Sequence, residues 1–267
     1  QVLEGHRVRE VDFRPEFGGA QVQATGPDGA PRAWDARLVI HALGRDTFLG
    51  NKFRIKEKNP RHASAAVFGH FRDARRHAGS REGDISIFWF EHGWFWFIPL
   101  ADGATSIGAV CSPQYMKSRQ TAPAQFLMDT IALCPPLAER LRDATLVSEV
   151  TATGNYSYAA SHCTGRNYLM IGDAFAFVDP VFSSGVLLAM QSAFVGADTI
   201  ETCLDRPREA RAAQREFEAS TRRALDTFSW SIYRVMTPGL RHLLMSPSPR
   251  FRMQPAILSV LAGDVFR

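Results

Sequence analysis

The sequence predicts an α/β fold in which a strand–loop–helix element is joined to a separate antiparallel sheet and a helical C-terminal region. Three stretches carry this reading. Residues 168–198 pass from an apolar run through Gly172-Asp173 and Asp179-Pro180 into small and aliphatic residues that run unbroken from Ser184. That is the pattern of a buried strand, two turns and a buried helix opening on a Ser-Ser-Gly cap. Residues 65–111 are short apolar runs punctuated by His92-Gly93 and Asp102-Gly103, which suits hairpin-linked strands. Residues 207–233 are charged but carry Phe217, Leu225 and Phe228 among them, as a long surface helix does.

The remaining elements follow in chain order. Residues 8–13 and 20–24 alternate apolar and polar, and Gly26-Pro27-Asp28-Gly29 is a hairpin turn signal. Residues 34–41 end in the apolar Leu38-Val39-Ile40, so a three-stranded meander feeding a buried strand is expected. Residues 52–61 are polar, broken at Asn59-Pro60, and read as a connector. Residues 94–99 hold four consecutive large aromatics, which requires both faces of that strand to be covered. Residues 122–133 are helical by period, Cys134-Pro135-Pro136 breaks them, and a short helix to Arg142 follows. Residues 147–157 are extended, with Gly154-Asn155 a turn. Asp205 is positioned to cap the long helix, Thr237-Pro238-Gly239 to stop it. The tail carries Met253, Ile257, Leu258, Val260 and Leu261 at helical spacing, suited to closing a cavity or meeting a neighbour.

Composition narrows the function classes. The 267 residues carry 31 basic against 27 acidic side chains, a net charge of +4, with no dense basic run of the kind a nucleic-acid groove needs. Arg72, Arg75, Arg76 and Arg81 cluster in one loop, either as a solvated face or as a dock for an acidic partner. Four cysteines without CxxC spacing suit the reducing cytoplasm, and neither they nor the histidines His41, His70 and His92 have metal-ligand spacing. His92 reads as a turn hydrogen-bonder or, beside the strand of residues 94–99, as a cavity-facing side chain. No apolar run is long enough to span a membrane. The chain starts at Gln1, and no GxGxxG follows an apolar strand.

The central stretch combines parts with a chemical use. A carboxylate at a strand end accepts hydrogen bonds from ligand hydroxyls. A helix start offers unpaired N–H groups and partial positive charge to an anion or an electron-rich ring edge. Gly172-Asp173-Ala174, Asp179-Pro180 and Ser183-Ser184-Gly185 together resemble the second FAD-contacting motif of the flavin monooxygenase superfamily, and more narrowly the flavin-dependent halogenases. Ala42-Leu43-Gly44-Arg45 matches that family's A-x-G strand end. Trp94-Phe95-Trp96-Phe97-Ile98-Pro99 matches its W-x-W-x-I-P signature.

The resemblance implies an incomplete FAD-binding fold of the flavoprotein monooxygenase type. It implies FAD contacts at Ala42, Gly44, Gly172, Asp173, Asp179, Pro180, Gly185 and Val186, and halide contacts at Ser183, Ser184 and Gly185. Trp94, Trp96 and Pro99 become the catalytic signature, keeping substrate from the flavin hydroperoxide so that oxygen goes to halide. The implied domains are residues 1–50 (part of the FAD domain), 51–150 (substrate sheet), 151–205 (FAD motif and helix) and 206–267 (helical region).

The activity implied is chlorination or bromination of an electron-rich aromatic through hypohalous acid. Reduced FAD comes from a separate flavin reductase. The family's tryptophan-specific members carry glutamate where this chain has Phe182, so a phenol or pyrrole, free or on an acyl carrier protein, is the implied substrate. The family's tunnel lysine and GxGxxG belong to an N-terminal part that this sequence lacks, so the chain alone is expected to be inactive. A flavin monooxygenase, an isoprenoid-type reductase and a non-catalytic fragment are the alternatives.

Overall fold

The computed structural model describes residues 1–14, 18–59, 64–154, 157–235, 237, 239, 241–242 and 253–264. Two compact units are present, one of Gln1–Lys58 with Tyr158–Arg267 and one of Asn59–Ser157.

The first unit opens with an antiparallel meander of β1 (Arg7–Arg14), β2 (Gly19–Thr25) and β3 (Pro31–Ala36). Gly29 closes the β2–β3 turn at a φ of 79°, which glycine adopts without a Cβ clash. The apolar run after it leaves the meander. It forms β4 (Val39–His41), followed by a 3-10 turn at Gly44–Asp46, α1 (Phe48–Lys52) and β5 (Lys56–Lys58). The expected connector therefore contains a short strand, while Pro60 and Arg61 lie outside the described residues. β4 is also less buried than its sequence suggests. Ile40 is 50% exposed because, among the described residues, β4 pairs on one side only.

The second unit contains β6 (Ala65–Arg72), β7 (Ser86–Phe90), β8 (Gly93–Pro99), β9 (Thr105–Cys111), α2 (Pro113–Lys117), α3 (Pro123–Ala132), α4 (Pro135–Arg140), β10 (Thr145–Leu146) and β11 (Thr151–Thr153). Its antiparallel sheet runs β10-β6-β9-β8-β7, with β11 also on β6. All three helices begin with proline, whose missing N–H is harmless in a first turn. One face of the sheet (Val67, Phe95, Phe97, Ile107) packs on Phe126, Leu127 and Ile131 of α3 and Leu137 of α4. This core is independent of the first unit's.

The chain returns to the first unit with β12 (Tyr158–Ala160), β13 (Thr164–Gly165), β14 (Tyr168–Met170) and β15 (Ala176–Phe177). β12 pairs with β5 and β15, whereas β14 pairs antiparallel with β13 and parallel with β4. Helices α5 (Gly185–Asp205), α6 (Ala210–Val235) and α7 (Met253–Leu261) complete the chain.

Three expectations about the helices change. α5 is not buried all round: Val186, Met190 and Phe194, four residues apart, are 71%, 55% and 64% exposed. Its other face meets α6, where Gly196 lets Phe217 come close. Asp205 is the last residue of α5 and caps nothing. The α6 start is instead formed by Glu209, whose carbonyl accepts from the amides of Ala212 and Ala213 and whose carboxylate pairs with Arg206 at 2.9 Å. α6 ends at Val235, and Pro238 lies outside the described residues, as do Leu240 and Phe266 in the tail. Gly263, after α7, lies against the Leu187 side chain. No helix among the described residues is long and apolar enough to cross a membrane.

Candidate functional site

The parallel pair β4–β14 sets the site. Its register aligns Val39 with Tyr168 and His41 with Met170, so both strands end at the same level and their outgoing loops meet. The Ile171 amide extends the pairing by donating to the His41 carbonyl at 3.1 Å. Carboxyl ends of adjacent parallel strands are the usual place for a ligand crevice in α/β folds. A cavity of about 460 Å³ lies there, built from the first unit alone.

Ala42, Gly44, Gly172, Asp173, Asp179, Pro180, Ser183, Ser184, Gly185 and Val186 all line this cavity. The loop after β14 is shaped by local chemistry. Gly172, at a φ of 54°, donates its amide to Ser192 Oγ of α5 at 3.0 Å. A Cβ there would lie 2.9 Å from Ala189 Cβ, so glycine is what lets α5 pack this close to the strand end. Buried Asp179 accepts from the Val181 amide at 3.1 Å, starting a 3-10 turn that Ser183 closes at a φ of 52°. α5 then begins at Gly185. Ser184 occupies its N-cap but its hydroxyl caps no amide, in contrast to the expected cap. The start of α5, whose Gly185 and Val186 line the cavity, is therefore left without a side-chain cap from Ser184.

Asp173 is, with Asp179, one of two carboxylates that line the cavity. Burial raises its pKa above the usual carboxylate value and the Arg45 guanidinium pulls it back. Its backbone carbonyl accepts from Tyr158 Oη at 2.6 Å. Arg45 lies 5.4 Å from the centre of the Phe177 ring, and Lys56 packs 4.0 Å from that of Tyr158 while donating to Thr47 Oγ1 at 3.0 Å. The sequence reading did not single out Arg45, Lys56 or Tyr158 for roles. For Arg45 a signal existed: it is the first cation after the A-x-G strand end.

Trp94, Trp96 and Pro99 lie on β8 of the second unit. Phe95 and Phe97 point into that unit's core. The opposite strand face carries buried Trp94 and half-buried Trp96 and Ile98, with the two indoles 6.1 Å apart. Trp96 Nε1 donates to Ser106 Oγ at 3.1 Å, and the Trp96 indole lies over Gly108 of β9. His92 stacks on the Tyr115 ring at 4.2 Å, which replaces the turn hydrogen bond expected for it. The arginine loop proves largely self-neutralised: Arg75 pairs with Glu139, Arg76 with Glu82 and Arg81 with Asp84, and Arg76 also donates to the Leu100 carbonyl. Among the described residues no three His, Cys, Asp or Glu side chains cluster as metal ligands.

The profile of the tryptophan halogenase family matches residues 86–236, more than half of the chain. A flavin-dependent halogenase (gsfI) of Penicillium aethiopicum is 32% identical, the match covering 82% of this chain and 45% of that protein. The 1H-pyrrole-2-carbonyl-(peptidyl-carrier protein) chlorinase of Pseudomonas fluorescens is 26% identical, covering 86% and 52%. The chain thus spans about half the length of the curated relatives it matches. Among solved structures, the myxobacterial chondrochloren halogenase CndH, described as a variant of FAD-dependent halogenases, superposes with a TM-score of 0.78 at 29% identity. That match covers 98% of this chain and 64% of CndH. The chain belongs to the tryptophan halogenase family.

Proposed function

We propose that this chain is the cofactor- and halide-holding part of an FAD-dependent halogenase acting on an electron-rich aromatic of phenol or pyrrole type, free or tethered to an acyl carrier protein. The observation that carries the reading is the joining of ten motif residues from two separate segments, 42–44 and 172–186, on one cavity at the ends of β4 and β14.

The residues present fit a flavin. Gly44 and Gly185 present bare backbone, and a Cβ added at either meets no atom within 4 Å. Both thus leave room for a flat ligand to lie against the chain. Asp173 accepts hydrogen bonds from ligand hydroxyls, and Gly172 keeps that carboxylate at the strand end. The free amides at the start of α5, beside Ser183 and Ser184, hold a halide ion, since a helix N-terminus favours an anion. Bound reduced FAD, delivered by a separate flavin reductase, supplies the electrons with which dioxygen oxidises halide to hypohalous acid. Trp94, Trp96 and Pro99, which match the W-x-W-x-I-P signature, are assigned to the catalytic signature on that resemblance. The pyrrole chlorinase among the relatives and Phe182 in place of a glutamate favour a phenolic or pyrrolic ring over tryptophan.

The test takes two steps. FAD titration of the purified chain, with its intact mass, should show saturable binding that Asp173→Ala weakens. The full-length protein with a flavin reductase, FAD and oxygen should then give a halogenated phenol or pyrrole only when chloride or bromide is present. Hydroxylated product that ignores halide would instead assign a monooxygenase.

A further inference from the structure

The first unit carries a second, larger cavity of about 840 Å³ that shares no lining residue with the first. Gly18, the bend before β4, the β13–β14 turn, the end of α5 and the start of α6 build it, and three of these contribute an arginine: Arg37 from the bend before β4, Arg166 from the β13–β14 turn, and Arg211 from the first turn of α6. Among the described residues no aspartate or glutamate lines it. Among the described residues none of the three arginines forms an ion pair, whereas Arg75, Arg81, Arg206 and Arg222 all do. Asp35, two residues before Arg37, lines a neighbouring depression that Gly18 and Arg37 also line, and accepts from Gln21 Nε2 at 3.3 Å.

The backbone that presents these arginines is held from beneath. Buried Asn167 donates through Nδ2 to the carbonyls of Gly18 and Arg37, both at 2.9 Å, and Gln214 Nε2 donates to the Gly165 carbonyl at 2.7 Å. Three arginines lining one concavity repel one another and focus positive potential into it. Each presents a planar fork that matches a phosphate in two parallel hydrogen bonds. Their combined charge suits a diphosphate better than a single carboxylate, and the volume suits a nucleotide-sized ligand. We propose that this cavity binds a diphosphate-bearing small molecule, at a site separate from the cofactor cavity and independent of the halogenase reading.

Cys203 lines the same cavity and is the only one of the four cysteines that is not buried, which gives a local reporter. The experiment measures Cys203 alkylation by a neutral maleimide, mapped by peptide mass, against inorganic pyrophosphate at constant ionic strength. Pyrophosphate should slow the reaction saturably, and the Arg166→Ala/Arg211→Ala pair should weaken that protection roughly tenfold or more. Asp173→Ala should leave it unchanged. ADP protecting at lower concentration than pyrophosphate would assign a nucleotide; equal protection would assign the diphosphate alone. No protection, protection matched by sulfate, or protection that survives in the double variant would overturn the proposal. Both arginines are exposed, so the variants should fold, and a thermal melt of each checks this.

Discussion

The Asp173 carboxyl is held in conflict with its own burial. Its pKa is raised mainly by desolvation and Arg45 only partly offsets this, so in the flavin-free protein the ionised form opposes folding as pH rises through that raised value. Asp173→Asn should therefore raise Tm at neutral pH, by no more than a few degrees, while weakening FAD binding about 10- to 100-fold through the lost charge-assisted acceptor. Thermal melts and flavin titration of the same variant check both signs; a variant that loses stability and keeps its flavin affinity contradicts the assignment. His41 shows the opposite sign. It is 3% exposed, neither ring nitrogen has a hydrogen-bond partner among the described residues, and burial lowers its pKa from 6.5 to about 4. Between those values the unfolded chain takes up a proton that the folded chain refuses, so stability falls as pH drops through that window. His41→Phe should flatten the decline of Tm from pH 6.5 to 4, measured against the parent chain.

Strand β8 depends on the strand beside it. Trp96 of β8 stands opposite Gly108 of β9, and a Cβ on Gly108 would lie 2.1 Å from Trp96 Cζ2. Gly108→Ala must swing the indole aside and break its bond to Ser106, at a cost of about 1–3 kcal/mol for overpacking. The expected result is a lowered Tm and an altered near-ultraviolet dichroism; an unchanged spectrum would show that the indole has another place to rest. Elements of this size were readable where the signal is local. The hairpins of residues 86–111 and the strand–loop–helix of residues 168–205 announce themselves through glycine, aspartate and proline at turns, and through period. What depends on distant pairing was not readable. β5 and β12 are three residues each and exist because they pair with one another. The exposure of Ile40 follows from the one-sided pairing of β4, and the open stripe on α5 follows from what that helix meets, neither of which a hydrophobic run reveals. The same applies at the candidate site. Its glycines, Asp173 and Arg45 stand in or beside motifs, but Lys56 and Tyr158 come from segments brought together only by folding. The arginine loop read either as a solvated face or as a dock; its partners Glu82 and Asp84 stand close by in sequence, whereas the pairing of Arg75 with Glu139 depends on the fold.

At the scale of the whole molecule, residues 59–157 form an insertion with a core of its own. Its two ends are tied, the Asn59 amide donating to the Ser157 carbonyl at 3.1 Å. Expressed alone, this segment should melt cooperatively and keep the near-ultraviolet signal of its tryptophans, as a domain with its own apolar centre does. A non-cooperative melt would show that it depends on the rest of the chain. The tie between Asn59 and Ser157 has a consequence for the order of events in folding. The cofactor cavity needs β4 beside β14, and the bond from Asn167 to the Arg37 carbonyl closes a span of 130 residues. Closing so long a loop in an open chain is entropically unfavourable and slow. Once the insertion has folded, its adjoining ends bring Lys58 next to Tyr158, and the distance left to search is only that of the short flanking segments. The insertion thus acts as a staple set before the seam is sewn, and the cavity takes shape late, on a chain whose other unit is already in place.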